Sequence, residues 1–126
     1  MWNVTYHEDT QTVVLALSGK VTGAELKAAA VARIDFGRKK GTRLYIIDAS
    51  DMLAPKSTIL DVLEIPTTLY FNKRMDRTSR IAVIEPRDLA SRWITTFYEN
   101  SSVMRGWTVQ IFADHDSAAS WLASTI

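Results

Sequence analysis

The sequence predicts an α/β fold with a mixed, mostly parallel five-stranded sheet flanked by helices. Three observations predict it. Continuous apolar runs recur at Val13–Leu17, Leu44–Ile47 and Ile81–Ile84, as in strands covered on both faces. Segments of helical spacing, opened by capping residues, separate those runs. Two further stretches, at the start and near the end, alternate with a period of two.

Taken in order, Trp2, Val4 and Tyr6 alternate with Asn3, Thr5 and His7, giving a strand with one buried face. Asp9-Thr10-Gln11 supplies a turn into Val13–Leu17, so the first two strands form an antiparallel hairpin. Thr22-Gly23-Ala24-Glu25 matches a capping box, in which Thr22 accepts from the Glu25 backbone and Glu25 reaches back. The alanine-rich helix that follows places Leu26, Ala30 and Ile34 on one face. Arg38, Lys39 and Lys40 suit the negative helix end, and Gly41 suits the C-cap. Leu44–Ile47 is the next strand, ended by Asp48.

Ser57 or Thr58 then caps a second helix carrying Ile59, Leu63, Pro66 and Tyr70. Pro66 lacks an N–H and crowds the preceding turn, so it kinks or divides that helix. After the strand Ile81–Ile84, Pro86 suits the first position of a third helix, with Leu89, Trp93 and Phe97 along one face. Trp107, Val109 and Ile111 alternate in the last strand. Asp114 or Asp116 caps a final helix bearing Ala118, Trp121 and Leu122. Trp93, Trp107 and Trp121 are read as core. Helical crossovers make the last four strands parallel. No linker or repeat divides the chain, which is expected to be one domain over 1–126.

Composition narrows the function. Of 126 residues, 15 are Lys or Arg and 14 are Asp or Glu, for a net charge of +1, so no general pull toward nucleic acid or anionic lipid is expected. The absence of cysteine removes disulfides, thiolate metal sites and a cysteine nucleophile. No signal-peptide pattern opens the sequence and no run is long enough for a transmembrane segment, so a cytoplasmic location is expected.

Several local patterns resemble the SpoIIAA-like branch of the STAS superfamily, domains related to sulphate transporters and anti-sigma factor antagonists. They are Arg80-Ile81-Ala82-Val83-Ile84, the aromatic helix around Trp93 and Phe97, and Phe112 followed by Ala118-Ala119-Ser120-Trp121-Leu122. Ser18-Gly19-Lys20-Val21-Thr22 also fits the strand-to-helix passage usual there. The resemblance implies a mixed five-stranded sheet and a non-catalytic role in binding or signalling, without a cofactor. Some members resemble lipid-binding domains with a hydrophobic pocket. Signalling members carry a phosphorylated Ser or Thr in an Asp-Ser-x-Gly setting at the second helix. Here that region reads Ala54-Pro55-Lys56-Ser57-Thr58-Ile59, which keeps the hydroxyls of Ser57 and Thr58 but lacks the Asp and the Gly. Both hydroxyls also fit a plain capping role.

Two regions are candidate sites. Asp48, Ser50 and Asp51 follow one strand, Glu85, Arg87 and Asp88 the next, and Asp114, His115 and Asp116 the last. All fall along the carboxyl edge of a parallel sheet, where α/β proteins bind ligands. A small metal-dependent enzyme or hydrolase using Asp48, Ser50, Asp51, Asp88 and His115 is therefore the alternative to a binding module. Capping and the helix dipole explain acidic residues there without any ligand. No Ser-His-Asp or two-His spacing is readable, and no metal site is assigned. Gly19-Lys20-Val21-Thr22 fails as a phosphate loop, because the earlier Gly and the Ser or Thr after Lys20 are missing. The second region is apolar. Ile59, Leu60, Leu63, Leu69, Tyr70 and Phe71 cover more than one helical face. That surplus implies a homodimer surface, a groove for a protein partner, the wall of a pocket for a small hydrophobic ligand, or deeper burial in the monomer.

Overall fold

The computed structural model describes residues 1–124. Five strands, β1 (Trp2–His7), β2 (Thr12–Lys20), β3 (Leu44–Leu53), β4 (Arg80–Ile84) and β5 (Thr108–Phe112), lie side by side in chain order. β1 runs antiparallel to β2, and every other pair is parallel. The long helices are α1 (Gly23–Lys40), α4 (Leu89–Met104) and α5 (His115–Ala123). Between β3 and β4 lie a 3₁₀ turn (Lys56–Thr58), α2 (Ile59–Glu64), a π-helical turn (Ile65–Leu69) and α3 (Tyr70–Asn72).

Strand alternation sorts the core into two layers. Val13, Leu15, Leu17, Tyr45, Ile47, Ala49, Ile81 and Val83 belong to a large cluster with α1, α2, α3 and α4. Val14, Ile46, Ala82 and Ile84 pack with Ala118 and Leu122 of α5. Crossovers between parallel strands are right-handed, and a sheet that advances one strand at a time puts each crossover on the same face. α5 follows the last strand and closes no crossover, so it covers the other face. The interior under α1, α2 and α4 and the carboxyl edge of β3–β5 are thereby set apart.

Local chemistry behaves as expected in α1. Thr22 and Glu25 make both bonds of the capping box, and Gly41 takes the left-handed C-cap conformation at φ 70°. Elsewhere the structure corrects the sequence reading. β3 does not end at Asp48 but runs on to Leu53: an extra residue between Asp48 and Asp51 shifts the register, Ala49 and Met52 are buried on either side of it, and Ser18–Lys20 of β2 pair with Asp51–Leu53 beyond it. Neither Ser57 nor Thr58 caps α2 through its side chain; Thr58 is buried and its hydroxyl donates to the Pro55 carbonyl. α4 begins at Leu89 rather than Pro86, with Asp88 as N-cap accepting from the Ser91 amide.

The largest correction concerns α4. Leu89 and Trp93 do not line the core but are exposed, and only Phe97 of that stripe, half-buried with its ring stacked on Trp93, packs against it. The buried face is Ser91, Ile94, Thr95, Tyr98 and Ser102. Its hydroxyls are satisfied locally: Thr95 donates to the Arg92 carbonyl and Ser102 to the Tyr98 carbonyl, so they enter the core without water. Trp107 is core as expected, whereas Trp121 is half-buried against Phe112.

Pro66 divides its helix as its missing N–H requires. The turn widens, and the Tyr70 amide donates to the Ile65 carbonyl five residues back. The Pro66 carbonyl takes the Trp107 indole Nε1–H at 3.0 Å.

Candidate functional site

The carboxyl edge brings part of the predicted polar group together. Asp48 and Ser50 lie on the α5 side of β3, and His115 opens α5. His115 Nε2 stands 2.9 Å from one Asp48 oxygen, while the Ser50 hydroxyl donates to the other at 2.6 Å and the Ser50 amide at 3.0 Å. Ser50 and His115 thus share one carboxylate instead of bonding each other, which is not the arrangement of a nucleophile and its base. A cleft of about 220 Å³ lies beside them, bounded by Ser50, Glu85, Arg87, Arg92, Asp114 and His115. Asp51 pairs with Arg87 at the surface, and Asp88 is occupied with Ser91, accepting from its hydroxyl at 2.6 Å. Among the described residues, no group of three or more His, Asp and Glu side chains is placed to hold a metal ion.

Burial alone would raise the Asp48 carboxyl, but the Ser50 hydroxyl and amide and the His115 ring hold it below the ordinary value of 3.8. A carboxyl depressed in the folded state stabilises the fold above its unfolded pKa. That contribution is lost as pH falls through the folded value. Asp48→Asn is therefore expected to be less stable than wild type near neutral pH, with the gap closing as pH drops below 3.8. Urea midpoints across a pH series measure it, and a gap independent of pH would remove the Asp48 assignment.

The apolar segment scatters. Tyr70 is fully buried, Ile59, Leu63 and Leu69 are half-buried, and Leu60 and Phe71 are exposed. Phe71 is flanked by Trp107 and by the Arg77 guanidinium, 5.2 Å from its ring. Of the two phosphorylation candidates, Ser57 is exposed and Thr58 is not.

Of the apolar candidates Tyr70 borders an interior cavity, together with a buried arginine that the sequence reading missed. Between the sheet and the helices lies a cavity of about 60 Å³, walled by Leu15 and Ile47 of the sheet, Leu26 and Ala30 of α1, Val62 of α2 and Ile94 of α4. Arg33, on the buried face of α1, also borders it, and is only 1% exposed. Its Nη2 donates to the Tyr70 hydroxyl, which in turn is bonded to the Tyr98 hydroxyl. Its guanidinium carbon lies 5.2 Å from the Tyr45 ring centre and 5.3 Å from that of Tyr70. Burial lifts the Tyr98 hydroxyl well above the usual phenol range and raises that of Tyr45, so both are neutral phenols at physiological pH. The only signal in the sequence was position: Arg33 follows Leu26, Ala29 and Ala30 at core spacing.

No protein-family model matches the chain, and no curated protein matches it.

Proposed function

We propose that the protein is a non-catalytic, SpoIIAA-like binding module whose ligand site is the cavity beneath α1, α2 and α4. The cavity itself carries this reading. Protein cores close to crystal-like density, and a void forfeits packing along its whole lining. Here the void adjoins the π-helical turn at Ile65–Leu69, whose first residue lines it. Such turns recur at functional sites, where a widened backbone makes room that a regular helix would fill. The carboxyl edge gives the enzyme alternative less support, since Asp48, Ser50, Asp51, Asp88 and His115 already have partners within the fold.

A guest must be able to enter. Xenon dissolved under pressure is expected to shift the methyl resonances of Leu15, Ile47, Val62 and Ile94, which line the void. It should leave those of Val14, Ile46 and Ala82, on the other face, unmoved. Ala30→Val, which narrows the void, should abolish the shifts. If the cavity methyls do not respond in wild type, no guest enters and the interior site is rejected.

A further inference from the structure

The outward face of α4 carries no charge along its whole length. Leu89, Trp93, Thr96, Asn100 and Val103 are spaced by four, three, four and three residues, and the helical turn sets them opposite the buried Ser91, Ile94, Thr95 and Tyr98. All five are exposed, Leu89 at 74% and Val103 at 53%, and Met104 beside Val103 is 78% exposed. The two charged residues within α4 both turn to one flank. Arg92 Nε donates to the Pro86 carbonyl, and Glu99 accepts from the Ile111 amide. Trp93 stacks on Phe97 and lies under Lys56 yet keeps nearly half its area in solvent. Spacing of this kind is the seam of a helix-to-helix contact.

The chemistry of the face selects what covers it. It offers a charged partner nothing to pair with, and it has no cluster of Lys or Arg to draw an anionic lipid surface. A second copy presents the same uncharged stripe, and the stripe is self-complementary about Thr96. In an antiparallel pair related by a twofold axis, Leu89 meets Val103, Trp93 meets Asn100, and Thr96 meets its equivalent. The ends of the helix set the direction. Asp88 precedes α4 and gives one oxygen to both Ser91 bonds, while Arg105 follows α4. Neither takes part in an ion pair among the described residues. Antiparallel packing sets Arg105 of each copy beside Asp88 of the other and opposes the two helix dipoles, whereas parallel packing would bring like charges together. The stripe and Met104 offer on the order of 700 Å² per copy, close to the ~800 Å² that each partner of a standard interface buries.

We infer that α4 pairs antiparallel with α4 of a second copy, forming a twofold homodimer with a micromolar dissociation constant. Each copy keeps its own core, so the pairing adds to resistance to unfolding only above that concentration.

Sedimentation equilibrium of the full chain, from about 1 to 500 µM, is expected to carry the mass from one 14.2 kDa subunit to two. Thr96→Arg, which brings two cations together at the axis, should stay at one subunit throughout, and so should Val103→Glu. Arg105→Glu should weaken the dimer roughly tenfold, since it places two carboxylates where a pair of opposite charges stood. Circular dichroism establishes that each variant is folded. Because the chain has no cysteine, single thiols report the direction of pairing. A short bis-maleimide should link two copies of Thr96→Cys but not two copies of Leu89→Cys, whose thiols would stand about 20 Å apart across the axis. A wild type that stays at one subunit at the highest concentration overturns the dimer. If that single subunit floats with uncharged phosphatidylcholine vesicles and Thr96→Arg does not, the face belongs to a membrane instead. A dimer that survives both Thr96→Arg and Val103→Glu uses another surface, which overturns the assignment to α4. Linkage through Leu89→Cys as readily as through Thr96→Cys overturns the antiparallel arrangement.

Discussion

Trp107→Ala is expected to lower the free energy of unfolding by about 3–5 kcal/mol, the range for truncating a fully packed aromatic residue. Trp107 is 3% exposed and sits at the junction of three elements. Its ring meets Tyr70 edge-on at 5.4 Å and Phe71 at 5.1 Å, and Arg77 lies over it at 4.0 Å. Its indole N–H is also the donor for the Pro66 carbonyl in the π-helical turn. Trp107→Phe separates the two contributions. It keeps most of the ring and strands that carbonyl, at a cost of about 1–3 kcal/mol for an orphaned buried acceptor. Trp93→Ala is the control. That ring is 46% exposed and stacks only on Phe97 and under Lys56, so its loss should stay below about 1 kcal/mol. Chemical unfolding of the three variants gives the comparison. Similar losses for Trp107→Ala and Trp93→Ala would mean that the π-helical turn does not depend on Trp107.

The contrast between those two tryptophans shows where sequence reasoning works. Trp107 precedes an alternating strand, and its burial follows from the period of two. Trp93 lies on a helix with two stripes of helical spacing, one large and aromatic, one made of Ser91, Ile94, Thr95, Tyr98 and Ser102. Hydropathy favours the first stripe. The second is buried because its hydroxyls bond to nearby groups: Ser91 takes the Ala54 amide, and Thr95 and Ser102 donate to their own helix. Features closed within a few residues, such as the Thr22–Glu25 box and the Asp114 cap, are readable from spacing. The polar edge was half legible for a similar reason. Strand direction brings Asp48 and His115 to the same edge, but only coordinates show that Asp88 turns to Ser91 and Asp51 to Arg87. Arg33 was not legible. Arginine is rarely buried without a partner, and the tyrosines around it come from β3, α3 and α4.

Replacing Arg33 by methionine is expected to make the ligand-free protein more stable, by about 1–3 kcal/mol, although it deletes a hydrogen bond and two ring contacts. The sign follows from what each state leaves unpaired. With arginine, a desolvated cation keeps two nitrogens without an acceptor in a region closed to solvent. With methionine the cation is gone, and the Tyr70 and Tyr98 hydroxyls still bond each other, so no new orphan is created. The side chains are close in volume, and methionine adapts to irregular space beside a cavity. The other outcome has an equally plain meaning. A loss of stability would show that the guanidinium ties α1 to α3 and α4 more strongly than its desolvation opposes, and Arg33 would be a structural residue. A gain would place Arg33 among residues kept against the interest of the fold, the pattern expected where a binding site holds a group that its ligand satisfies. Thermal unfolding of the two proteins side by side distinguishes the outcomes. The methionine variant should unfold at the higher temperature if the buried cation opposes the fold, and at the lower if the guanidinium holds it together.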